Sequence, residues 1–448
     1  MASDLIELIL NAGVVGAGGA GFPTHVKLSA KVETIIVNGV ECEPLINVDR
    51  QLIEKYTARI YEGAKIAVQT TGAKNVVIAL KAKNEQAVKT LENFKQDSLK
   101  FDIFKLDNFY PAGDEQVLVN EVTGKIVPEG GIPLNVGIVV INVETLINVA
   151  NAAEGKVLTM KYVTINGAVA EPKTFFVPIG TPVLKLIEAC GGPTADNFGV
   201  IDGGPMTGRL INPDEHAVTK TTKAILVLPE NNIVITQKKR NINTQLKRAQ
   251  AICLSCRMCT DLCPRYLLGH DLFPDELMKR MYKKEINEEN ISNFDFAYLC
   301  CDCGVCELYS CVVDLSARSI FNYLKIELGK AGIKNPHHRD ALFANEFRDY
   351  RKVPVPRLLK RIEFDEYNSH ADLTDVEVNA DEVKLFLSQH VGAPSIPVVK
   401  IGDKVLEGTL IADIPTDKLG AKIYSSIGGT VSEITQKHII ISKSRLKG

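Results

Sequence analysis

Eight cysteines in two tight runs constrain this chain more than any other feature. Cys253, Cys256, Cys259 and Cys263 stand in CLSCRMCTDLCP, and Cys300, Cys303, Cys306 and Cys311 stand in CCDCGVCELYSC. The first run has the CxxCxxCxxxCP spacing that wraps one loop around a face of a [4Fe-4S] cubane and sends its last cysteine to a second cluster. The second run has one extra residue before its last cysteine and no proline after it. Two runs predict two [4Fe-4S] clusters with crossed fourth ligands: Cys253, Cys256 and Cys259 with Cys311, and Cys300, Cys303 and Cys306 with Cys263. Structural zinc takes two separated knuckles rather than such a dense run, so a pair of zinc sites fits poorly. Cys301 falls out of ligand phase, and Cys42 and Cys190 read as small buried hydrophobes.

The rest of the composition removes other classes. A chain of 448 residues is too long for a disulfide-stapled secreted module, and predicts about three domains at roughly 100 to 200 residues each. Its 52 basic and 54 acidic residues leave a net charge of −2, so no whole-chain field draws it to nucleic acid or anionic lipid. No apolar run reaches the roughly 20 residues of a membrane span, and MASDLIELIL carries no basic segment ahead of its apolar stretch. The expectation is a soluble, cytoplasmic chain.

Along the sequence, VETIIVNGV (Val32 to Val40), NVVIALK (Asn75 to Lys81) and Gly137 to Val143 read as strands buried on both faces. Asp49 to Thr71 and Glu144 to Ala153 have helical spacing, so residues 1–158 are expected to form βαβ units around a parallel, Rossmann-like sheet. Residues 159–236 change to short alternating runs with Gly and Pro, a small β-rich domain. A basic stretch leads into a helical double-cluster domain of bacterial-ferredoxin type at 237–334. Residues 335–375 carry Pro, His and many Arg with little periodic hydrophobicity, which predicts a linker and docking surface. Residues 376–448 show β runs broken by Gly-Asp and Gly-Gly turns, a small barrel or sandwich.

Near the N-terminus, GVVGAGGAGFPTHVK places Gly16, Gly18 and Gly21 in formal GxGxxG register, with Gly19 between them. The motif follows a helical segment, Leu5 to Asn11, rather than a strand, which weakens a dinucleotide reading. A loop of this kind still brings backbone N–H groups close to a phosphate, so flavin and nucleotide both stay open, as does a plain tight turn.

Four ordered segments carry a resemblance. GAGGAGFPTHVK, NGVECEP (Asn38 to Pro44), YPAGDEQ (Tyr110 to Gln116) and NVETL (Asn142 to Leu146) resemble the flavin-carrying subunit of respiratory complex I. The resemblance implies FMN on the glycine loop with Lys27 at its phosphate, and Asn38 and Glu41 on the flavin side. It also implies Asn142 and Thr145 as cofactor-binding positions, and the acidic pair Asp114 and Glu115 serving NADH. Asp114 stands where that family usually has Glu. A flavin is the part such a chain needs, because NADH gives two electrons as hydride and each cluster takes one. Carboxylates beside the nucleotide also disfavour a 2′-phosphate, which favours NADH over NADPH.

The whole chain resembles the C-subunit family of Rnf electron-transport complexes. VTINGAVAEPKTFFVPIGTPVLKLIEACGG with GGPMTGR looks like its soluble-ligand-binding β-grasp domain, and the tail looks like its barrel-sandwich module. Rnf C subunits carry that module first, whereas here it is last. That order resembles the branch of cobalamin reductases from propanediol-utilisation microcompartments. The resemblance implies an NADH-oxidising enzyme that passes electrons through FMN and two clusters to an acceptor protein or a corrinoid. Cobalamin is then a candidate ligand, and other subunits of a complex or microcompartment are candidate partners. The alternatives are an NADH-oxidising subunit of a larger oxidoreductase, of Rnf or methylenetetrahydrofolate reductase type, and a non-enzymatic electron carrier or scaffold.

Overall fold

A computed structural model describes residues 2–282, 286–287, 289–367 and 370–443. The first module opens with helix α1 (Ala2–Asn11), the glycine loop and the short helix α2 (Thr24–Leu28). It continues through β1 (Thr34–Asn38), α3 (Asp49–Thr71), β2 (Asn75–Lys81), α4 (Glu85–Glu92), β3 (Asp102–Leu106), β4 (Phe109–Tyr110), α5 (Glu115–Thr123), β5 (Ile138–Asn142) and α6 (Val143–Ala153). Four of these strands form a parallel sheet in the order β3-β2-β1-β5. Ile35 and Val37 face a core with α1, α3 and α6, and Ile36 faces another with α5. Both faces are therefore covered, which explains the unbroken β-branched runs. Gly63 lets α3 lie against α6, since a Cβ there would sit 2.1 Å from the Leu146 carbonyl oxygen.

The second module contains β6 (Met160–Gly167), β7 (Lys173–Pro178), helix α7 (Val183–Ala189), β8 (Phe198–Asp202), β9 (Arg209–Ile211) and β10 (Ala224–Pro229). Val183, Leu186 and Ile187 of α7 pack on Val163, Ile165, Phe175 and Val227 of the sheet.

The cysteine runs lie in a helical module: α8 (Ile233–Lys239), α9 (Ile242–Ile252), α10 (Met258–Asp261), α11 (Pro264–Leu267), α12 (Pro274–Tyr282) and α13 (Ala317–Lys330). The expected helical segment from Pro274 is α12, and the far end of that segment includes residues outside those described.

The expected linker is instead a packed strap. Its strand β11 (Val353–Pro354) pairs with β4, its helix α14 (Val355–Arg361) buries Leu358, and β12 (Asp372–Leu373) adds a parallel edge to β7. The second module's sheet thereby has the order β12-β7-β6-β10-β8-β9. Ile362 and Phe364 are fully buried, while Arg348 and Lys352 both pair with Glu121 and Arg339 pairs with Glu129. The strap escapes a periodicity reading because its few apolar side chains anchor separate modules rather than line one face.

The last module has β13 (Glu382–Phe386), β14 (Ile396–Pro397), β15 (Lys404–Val405), β16 (Leu410–Asp413), β17 (Ile423–Tyr424), β18 (Gly429–Ile434) and β19 (His438–Ser442). They make two small antiparallel sheets around a core of Val383, Leu385, Ile411, Val431 and Ile439. This module returns to the glycine loop. The Val391 N–H donates to the Gly21 carbonyl at 3.1 Å, and the Tyr424 hydroxyl donates to the Asn11 carbonyl. Lys220, from the second module, donates to the carbonyls of both Gly13 (2.8 Å) and Lys422 (2.5 Å). No described helix is long and apolar enough to cross a membrane.

Candidate flavin and iron–sulfur sites

The glycine loop is held at both ends and open at its crest. Gly16 N–H donates to the Phe22 carbonyl at 3.0 Å, and Ala17 N–H donates to the Thr145 hydroxyl at 2.9 Å. Gly18, Gly19 and Ala20 are exposed, and among the described residues their N–H groups find no acceptor. A Cβ on Gly18 would come within 3.0 Å of the Asn142 amide nitrogen, whereas a Cβ on Gly19 would meet nothing within 4 Å. Gly21 takes φ +75°, which a side chain rarely adopts. Unclaimed donors beside a space with no side chains fit a phosphate, so the residues present suit FMN.

Asn38 and Asn142 end neighbouring strands in direct register at the carboxyl edge of the sheet. The Asn142 side chain caps α6 by accepting from Glu144 N–H, and donates to the Asn38 carbonyl (3.2 Å) and to Asp49 (3.0 Å). Asn38 donates to the Gly113 carbonyl at 3.0 Å, fixing the turn that leads into α5. Glu41 accepts from the N–H groups of Val48 and Asp49 at the start of α3. Burial first, and then the Asp49 charge, push its carboxyl up to about 7 against the opposing pull of Lys223. Lys27 donates to Glu115 at 2.9 Å and to the Val140 carbonyl at 3.0 Å.

Asp114, expected beside a nucleotide, is engaged within the protein. It caps α5 by accepting from the N–H groups of Gln116 and Val117, and it takes two hydrogen bonds from Arg265. Burial alone would raise its carboxyl, but Arg265 and the cap bonds hold it below the usual carboxylate range. Glu115, with a side chain 46% exposed, is the member of the pair that faces outward.

The cysteines gather into two sets. One hollow is lined by Cys263, Cys300, Cys303 and Cys306, with Cys301 beside them. Another is lined by Cys253, Cys256 and Cys311 and, between the two hollows, again by Cys306, with Cys259 within electrostatic reach of the first three. Ser255 (φ 52°), Arg257 (φ 67°) and Asp302 (φ 60°) curl the ligand loops through left-handed conformations. Backbone N–H groups of Asp302 and Leu315 donate to the sulfurs of Cys300 and Cys311 at 3.4 and 3.2 Å. Such donors and spaced sulfurs suit cubanes. Burial drives the thiols of Cys259 and Cys300 up to about 12 and about 11, so cluster insertion must release protons.

Three residues not singled out from the sequence join these sites. Tyr110 donates its hydroxyl to the Cys303 carbonyl (2.6 Å) and to Glu43 (3.3 Å). Arg265 follows Cys263 by two positions and reaches Asp114. Arg318 binds Asp302, at 2.6 Å, and the Met206 carbonyl, at 2.6 Å, tying the GGPMTGR loop to the second cysteine run. Both arginines sit just beyond a cysteine run, the one signal the sequence offered for them. Glu43 accepts from the N–H groups of Met206 and Thr207, both at 3.0 Å, so it is an interface residue rather than a solvated charge.

Comparison with known proteins finds four family matches along the chain. Residues 9–151 match the Nuo51 FMN-binding domain, 162–210 the SLBB domain, 252–316 a 4Fe-4S dicluster domain and 363–447 the RnfC barrel sandwich hybrid domain. Together these modules define a multidomain flavin and iron–sulfur oxidoreductase. Cobalamin reductase PduS of Citrobacter freundii is 39% identical over 442 residues, covering 98% of this chain and 96% of that protein. Its counterpart in Salmonella typhimurium is 40% identical over 443 residues, again 98% and 96% of the two chains. The chain belongs to the PduS cobalamin reductase family. The Na(+)-translocating ferredoxin:NAD(+) oxidoreductase complex of Acetobacterium woodii has a C subunit that is 33% identical over 274 residues, 60% of this chain and 59% of that one.

Proposed function

We propose that the chain oxidises NADH and passes the electrons to a corrinoid, the cobalamin of its relatives' name. FMN on the Gly16–Gly21 loop would convert the two-electron hydride donor to one-electron steps toward two [4Fe-4S] clusters. Gly18, Gly19 and the Asn142 and Thr145 side chains would form the phosphate cradle, Asn38 and Glu41 would order the flavin side, and Glu115 would face the nicotinamide nucleotide. In this reading the parallel sheet is Rossmann-like and the second module, with α7 across its sheet, is a β-grasp.

One observation carries the order of the electron path. The Cys263, Cys300, Cys303 and Cys306 hollow is bolted to the flavin module through Asp114–Arg265 and Tyr110–Cys303. The Cys253, Cys256, Cys259 and Cys311 hollow lies at the surface, where Cys256 is exposed among exposed Ile252, Leu254, Met258 and Val312. The first cluster would receive electrons from the flavin, and the second would hand them on. The decisive experiment reduces cob(III)alamin with NADH and this protein alone under anaerobic conditions. A corrinoid rate well above that of free reduced FMN supports the reading. Ready reduction of viologen without corrinoid turnover would instead favour a subunit of a larger oxidoreductase.

A further inference from the structure

Lys81 is the last residue of β2, at the carboxyl end of the parallel sheet where α/β folds bind their ligands. Its residue is 2% exposed, yet among the described residues its ammonium makes no hydrogen bond or ion pair. Side chains alternate along β2: Ile78 and Leu80 face the α3 side, while Ala79 faces the α5 side. Lys81 therefore projects to the α5 side, beneath the Gly113 to Glu115 turn. There Cys42 lies so close under the turn that a Cβ on Gly113 would be 3.2 Å from its sulfur. The charged and titratable groups facing Lys81 are Cys42, Lys83, Glu41 and Glu43, and burial lowers its ammonium to about 8. The ammonium is not among the atoms sealed from solvent, and Glu41 and Glu43 act on it only at a distance, so a bound anionic or electron-rich group would stabilise a cation held in this largely desolvated place.

The distance identifies that group. Asn142, beside the glycine loop, ends β5, and β1 separates β5 from β2. Asn142 is in register with Asn38 and Asn38 with Ala79, so two strand spacings sideways and two residues along put Lys81 about 12 Å from Asn142 at the sheet edge, a span that FMN and a lysine side chain together bridge. Resting on the flavin reading above, we infer that Lys81 is a second flavin-binding cation, with its ammonium against the pyrimidine edge (N1 and C2=O) of the isoalloxazine ring. Negative charge accumulates at that edge when the ring is reduced. A cation there strengthens binding of both forms and of the reduced form more.

The test uses the full chain with its clusters in place. FMN affinity is read by quenching of flavin fluorescence, and the flavin midpoint potential by spectroelectrochemical titration. Lys81→Met should weaken FMN binding roughly tenfold to a hundredfold, the range of a charge-assisted hydrogen bond, and lower the midpoint potential. Lys81→Arg should restore most of both. If the Met variant loses its iron, Lys81→Gln carries the same readings with a polar side chain of similar reach. A neutral variant that keeps wild-type affinity and potential overturns the inference and leaves the flavin site standing. A wild-type protein that fails to bind FMN overturns the inference and the proposed function together.

Discussion

Arg265 grips Asp114 with two hydrogen bonds, of 2.7 and 3.0 Å, across the boundary between the cysteine module and the flavin module. Both side chains are largely buried, at 8% and 18% exposure. The pair fixes the position of Cys263, two residues before Arg265, relative to the turn at Gly113. An acidic residue that the sequence suggested for a nucleotide is thus part of the seam between the two modules.

Arg265→Met should leave Asp114 buried without its partner and cost about 3 to 5 kcal/mol of stability, read as a fall in Tm. NADH reduction of the clusters should slow more than NADH reduction of the flavin. The carboxyl of Asp114 is depressed in the folded state. Its contribution is therefore present above its unfolded pKa and lost as pH falls through the folded one. The variant should accordingly lose the part of the wild-type acid sensitivity that lies below about pH 4.

The crossed ligands predict a specific pattern of cluster loss. The anaerobically prepared protein should carry about eight iron and about eight acid-labile sulfide per chain, as two cubanes require. Cys311→Ala should remove the cluster of Cys253, Cys256 and Cys259, while Cys263→Ala should remove the one held by Cys300, Cys303 and Cys306. Iron analysis with electron paramagnetic resonance of the reduced proteins distinguishes the two. Loss of the same signal in both variants would refute the crossing.

Gly19 separates the ligand's needs from those of the fold. A side chain there meets nothing within 4 Å in this structure, so Gly19→Val should fold with full iron content. It should nonetheless lose FMN, because the added methyl groups fill the phosphate cradle. Gly18→Val should disturb more, since its Cβ presses on Asn142 at 3.0 Å and so on the cap of α6. Undiminished flavin binding by Gly19→Val would show that the loop has another purpose.

Lys220 should give the protein a basic-range stability slope. It is 1% exposed, among the described residues its ammonium donates only to carbonyls, and burial lowers that ammonium to about 7. The unfolded chain holds that proton up to about pH 10, so between about 7 and about 10 it binds more protons than the folded chain. Stability from this group therefore rises with pH across the window and is flat below it. Lys220→Met should flatten the dependence of Tm on pH between those limits. An unchanged slope would mean that the lysine stays protonated in the folded state.

The β-branched runs at Thr34–Asn38, Asn75–Lys81 and Ile138–Asn142 were legible because a strand buried on both faces leaves a local apolar signature. The cysteine runs were legible for the same reason, since cubane geometry dictates spacing within one loop. The β-rich second module and the turn-punctuated tail also announced themselves by local pattern. The strap at residues 335–375 did not, because Leu358, Ile362 and Phe364 are buried against modules far away in sequence.

What the sequence determined by itself was the inventory: a glycine loop beside a parallel sheet, two sets of four cysteines, and their order along the chain. Only the tertiary structure decided which hollow lies next to the flavin module, that Asp114 pairs with Arg265, that the last module clamps Gly21, and that the Lys81 ammonium makes no hydrogen bond or ion pair among the described residues. The physical reason is one of range. Spacing and periodicity record contacts within a few residues, whereas ion pairs, burial and electron-transfer distance depend on surfaces that meet only after the chain has packed.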